Sequence, residues 1–96
     1  MKAEPVRNYK EEIVGYVVEC KACGWAHMIY TTGPVQWSFN GDTEKPTFSP
    51  SLMVNRDLSN KSVPRCHSFI RNGQWQYLSD CTHELAGKTV DMVDVE

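Results

Sequence analysis

Four cysteines in a chain of 96 residues narrow the possible folds more than any other feature. The first two form Cys20-x-x-Cys23, followed directly by Gly24. Two intervening residues let the chain turn so that both thiolates reach one ion, and a glycine after the second ligand relieves the turn. A redox pair with the same spacing belongs at a helix start near a βαβ pattern, and no such pattern is readable here. A domain of this size buries a thin core and commonly adds a metal or disulfide staple. The N-terminal Met1-Lys2-Ala3-Glu4-Pro5 leads into charged residues rather than an apolar signal core. No apolar run approaches the ~18 residues of a membrane span. The expected setting is therefore the cytoplasm, where four cysteines favour a metal over disulfides. Zinc is expected over an iron–sulfur cluster, because it is the commoner structural choice.

The chain reads as one zinc-stabilised domain over residues 1–96, with 1–12 a loose, charged N-terminal arm. Ile13 to Cys20 is rich in β-branched and aromatic residues and reads as a strand. Trp25 to Thr32 reads as a second, ended by Gly33-Pro34, and Val35 to Phe39 as a short third. Asn40-Gly41-Asp42 is a plain turn. Lys45 to Ser51 carries two prolines and reads as an extended surface segment, with a short strand at Leu52 to Val54. The polar stretch 55–64 reads as a mobile loop. Thr82 to Ala86 is expected as one helical turn stopped by Gly87, and Val90 to Val95 as a final strand. The fold class expected is mostly β: a small antiparallel domain, zinc-ribbon-like in part, with one short helical turn.

The clearest local signal is Asn72-Gly73, which lies between two strand-like runs and predicts a two-residue type I′ hairpin. That turn fixes a register in which Ile70 faces Trp75 and Ser68 faces Tyr77. Side chains alternate along strands, so Cys66, Ser68, Ile70, Trp75, Tyr77 and Cys81 share one face. His67 points to the other face, diagonal to Asp80. The expected ligands are thus Cys20, Cys23, Cys66 and Cys81. His27, His67, His83 and Asp80 stand as alternates or as groups that orient a ligand. A His67–Asp80 pair also suits a polar catalytic cluster, although the sequence alone assigns no catalytic residue. The aromatics, Trp25, Trp37, Phe39, Phe48, Phe69, Trp75 and Tyr77, read as core packing ahead of a base-stacking platform.

Three stretches carry a resemblance: the block from Cys20 to His27; Trp37-Ser38-Phe39-Asn40-Gly41-Asp42 with Lys45 to Leu52; and Cys66-His67-Ser68-Phe69-Ile70 with Leu78 to Val90. Over roughly residues 16–92 the chain resembles a family of small uncharacterised phage and prophage proteins. Members often carry the automatic label "ammonia monooxygenase", which suits neither the size of this chain nor its want of a membrane span. The resemblance implies a phage or bacterial source and a Cys/His metal site, and it implies no established activity. The family pattern includes His27, His67 and His83 beside the cysteines, so all-cysteine and mixed ligation both stay open.

Three functions compete. The first is a metal-stabilised protein-interaction module that contacts a host or phage protein. The second is a metal-dependent hydrolase or nucleotide-processing enzyme, with an open metal position among His27, His67 or His83 and Asp80 or Glu84 as base. The third is a nucleic-acid-binding zinc ribbon. A net charge of −2 and a pI of about 5.9 disfavour the third, because phosphate backbones select basic surfaces.

Overall fold

The computed structural model describes residues 1–55, 57–58 and 64–95. Most of the polar loop expected at 55–64 lies outside the described residues. Eight strands form two antiparallel sheets, and no helix occurs among the described residues. Nor, among them, is any helix long and apolar enough to cross a membrane. The first sheet has the order β1-β2-β3, with β1 at Glu4–Arg7, β2 at Ile13–Cys20 and β3 at Trp25–Tyr30. The second has the order β4-β5-β6-β7-β8. Its strands are Ser38–Phe39, Phe48–Val54, Cys66–Arg71, Gln74–Tyr77 and Thr89–Asp91.

The Asn72-Gly73 turn forms as its chemistry requires. Both residues have positive φ, 51° and 77°, and Ile70 pairs with Trp75 and Ser68 with Tyr77. Burial then alternates along β6, with Cys66, Ser68 and Ile70 inside. Trp75 and Tyr77 continue that inner face on β7. Val18, Cys20 and Ile29 of the first sheet join them in one apolar cluster with Phe48 and Leu52 of β5. Tyr16 seals the edge of that cluster, its ring 4.3 Å from Phe39, which stacks on Phe48 at 4.7 Å. Gly15 is required by packing: a Cβ there would lie 2.5 Å from the Ile29 carbonyl oxygen across the β2–β3 ladder.

The structure departs from sequence expectation at both ends. Residues 4–7 are not a loose arm but a strand paired antiparallel to β2. Ala3 is fully buried, and the Lys2 and Ala3 amides donate to the Thr43 carbonyl. Backbone hydrogen bonds hold this strand, so its polar side chains give no periodic signal. The helical turn expected at Thr82 to Ala86 is a pair of linked turns, Ala86 N–H to His83 O and Lys88 N–H to Leu85 O. The Thr82 amide already donates to Arg65 O, and its hydroxyl accepts the Arg65 amide at 2.8 Å. These contacts tie the would-be helix start to the chain ahead of β6.

One irregularity positions the functional site. Between the pairs Phe48–Ile70 and Leu52–Ser68, β5 places Ser49, Pro50 and Ser51 opposite the single residue Phe69. Pro50 has no N–H for a ladder, and bulges of this kind re-aim side chains beside active sites.

Candidate functional site

The end of β2 and the start of β3 close a tight turn, with Gly24 at φ 80° and its amide donating to Cys20 O at 2.9 Å. This turn brings Cys20, Cys23 and His27 against Cys66 at the start of β6. One donor atom from each lies within 4.8 Å of all the others, close enough to bind a metal ion. All four cysteines of the chain are free thiols. His27 Nε2 is buried and has no hydrogen-bond partner among the described residues. A buried imidazole nitrogen left without a proton donor is what a cation satisfies. The residues present therefore fit a metal ion.

The thiols also influence one another. Hydrogen bonds from Cys23 and then Cys66 pull the Cys20 thiol far below its ordinary range. The bond to Cys20 pushes Cys23 up to about 12 and raises Cys66 strongly. Burial raises the Tyr77 hydroxyl, which lies 3.3 Å from Cys20 Sγ. One thiolate is thus favoured, and the next two are opposed by it. A cation held by these thiols and His27 would offset that opposition and favour loss of the remaining protons.

Cys81, expected as the fourth ligand, falls in a different group, with Cys66 and His83. His83 Nε2 lies 3.4 Å from Cys66 Sγ. The Cys81 sulfur accepts the His67 amide at 3.2 Å and donates to the His67 carbonyl at 3.1 Å. It grips the backbone of His67.

On the opposite face of β6 the His67 ring joins two other side chains. Its Nδ1 lies 3.0 Å from Asp80 Oδ2, the pair expected from the hairpin register. Its Nε2 lies 3.2 Å from Ser51 Oγ. With Asp80 ionised, the proton sits on Nδ1, so Nε2 accepts from the serine hydroxyl. Asp80 is anchored from behind by Arg65 Nε, which donates to its carbonyl at 2.8 Å. The His67 and Asp80 side chains are 24% and 47% exposed, so the group opens to solvent. A hydroxyl, an imidazole and a carboxylate in this order have the geometry that a nucleophile, a base and the group orienting the base require. Ser51 was not legible from the hairpin register, because it comes from β5 through the bulge. The only signal in the sequence was negative, a proline-broken segment that no ladder could hold flat.

No curated protein and no solved structure matches the chain. A family model described as "Bacterial ubiquitination-like system serine protease (BubE)" matches residues 3–78. That span holds Ser51, His67 and all four donors of the metal group, and it ends two residues before Asp80. Matched along most of its length, the chain belongs to the family of bacterial ubiquitination-like system serine proteases (BubE).

Proposed function

We propose that this protein is a serine hydrolase that cleaves an amide bond formed or matured in a ubiquitination-like system. Its nucleophile is Ser51, its general base His67 and its orienting carboxylate Asp80. The observation that carries this reading is the unbroken relay from Ser51 Oγ through the two nitrogens of His67 to Asp80. The family description supports both the reaction class and the setting. Ser51 Oγ attacks the scissile carbonyl as its proton passes to His67 Nε2. The protonated imidazole, held by Asp80, then gives that proton to the leaving amine. Water, deprotonated by the same nitrogen, then attacks the acyl carbon, and that proton passes to Ser51 Oγ as the acyl–oxygen bond breaks and the acid leaves.

The metal is zinc in this reading, bound by Cys20, Cys23, His27 and Cys66. Three thiolates and an imidazole form a donor set typical of closed structural sites. Such a site joins the β2–β3 turn to β6 and supplies folding free energy to a thin core. The metal-hydrolase alternative is disfavoured because His67 is engaged with Ser51 and Asp80 on the far side of the strand. The interaction-module alternative accounts for the metal group and leaves the serine relay unexplained. Free thiols suit a reducing cytoplasm.

The test is amide hydrolysis of a ubiquitin-like modifier carrying a C-terminal amide-linked reporter. Loss of turnover in Ser51→Ala, with zinc content and fold retained, is the expected result. Turnover that survives Ser51→Ala and disappears on swapping the metal would transfer the chemistry to the metal group.

A further inference from the structure

We infer that Trp37 and Ser38, on the edge of the second sheet, are positioning residues that hold the nucleophile strand where its own ladder fails. This inference rests on the Ser51 reading above. The bulge leaves Ser49, Pro50 and Ser51 opposite one residue of β6, so the β6 ladder does not set where Ser51 sits. Support comes instead from the other neighbour. The Trp37 indole Nε1 donates to the Ser51 carbonyl at 3.3 Å, and the Ser38 hydroxyl donates to the Ser49 carbonyl at 3.4 Å. Two consecutive residues thus grip the carbonyls on both sides of Pro50. Their own position is firm: the Trp37 amide donates to Tyr30 O at 2.8 Å, and its ring packs half-buried against the core. Ser38 pairs with Ser49 in the β4–β5 ladder. A span running from β3 through Trp37 therefore fixes the carbonyl of the residue whose hydroxyl must meet His67.

The consequence is local. Without the indole N–H the Ser51 carbonyl loses its donor and the hydroxyl drifts from Nε2. Misplacement of a reacting group by about 1 Å costs on the order of a hundredfold in rate.

The experiment uses the full chain and a fluorophosphonate, which phosphonylates activated serines and needs no knowledge of the substrate. The wild-type protein is labelled at Ser51 and Ser51→Ala is not; a wild-type protein left unlabelled would overturn the serine reading itself. Given labelling, Trp37→Phe keeps an aromatic ring at the site and removes the N–H. It is expected to slow labelling roughly ten- to a hundredfold. Amide turnover should fall through kcat with KM little changed, while zinc content and melting temperature hold. Ser38→Ala should act in the same direction and less strongly, and it serves as the arm that decides if Trp37→Phe does not fold. Labelling at the wild-type rate in the folded variants would overturn the inference. So would a rate lost only in step with zinc or with the melting temperature.

Discussion

Cys66 and His67 are adjacent in β6, yet they belong to different regions of the molecule. Cys66 is buried beside Cys20 in the metal group, and His67 lies on the more exposed side with Ser51 and Asp80. The inner region is sulfur-rich and mostly buried, with Cys23 half-buried at its rim; the outer one is more open and built from ordinary oxygen and nitrogen groups. Strand alternation alone separates them by one residue. The lesson is that a metal group beside a serine relay need not share its chemistry. It can hold the strand that carries the base.

This contrast can be broken by substitution. Cys23→Ser, or exhaustive chelation, should have the largest effect: zinc is released and the domain unfolds, since binding and folding free energy are one quantity in such a site. Thermal melts with metal quantification check it, and an unchanged melt would remove the structural role. Ser51→Ala should lower amide turnover by about a thousandfold or more and leave zinc and melting temperature in place. His67→Ala should match it in both respects. Zinc lost from the histidine variant would mean that the two regions are not separate. Asp80→Asn should cost less than either, because this carboxylate orients the base and makes no bond to the substrate, and at 47% exposure water can share its task. The smallest effect belongs to Cys81→Ala. If its sulfur holds only the His67 backbone, zinc stoichiometry stays unchanged, and stability falls by about 1 kcal/mol for the lost hydrogen bonds. Zinc lost from this variant would restore the four-cysteine site.

What was legible in the sequence followed from local rules. Asn72-Gly73 has one favourable turn, that turn has one register, and the register places His67 beside Asp80 and Cys66 among the core residues. The knuckle at Cys20 and Cys23 is likewise local. Ser51 was not legible, because its meeting with His67 depends on a bulge and on the pairing of strands from separate stretches of chain. The choice between His27 and Cys81 was open for a related reason. His27 reaches the metal group through the β2–β3 hairpin, whereas Cys81 lies beyond β7, where the ladder has ended. The β1 strand escaped notice because its stability comes from backbone bonds that charged side chains do not advertise.

The aromatic stack behind the metal donors has an optical consequence. Trp75 is almost fully buried, its ring lies parallel to Tyr77 at 5.5 Å, and it meets the His27 ring edge-on at 6.2 Å. Trp25 is 43% exposed and Trp37 half-buried, so the blue edge of the emission spectrum belongs chiefly to Trp75. The His27 imidazole, one of the candidate donors, and the Tyr77 ring, whose hydroxyl meets Cys20 Sγ, therefore both touch a single chromophore. Intrinsic fluorescence becomes a gauge of loading that needs no added dye. The Trp37→Phe protein keeps that gauge, so occupancy and nucleophile reactivity can be followed in one cuvette.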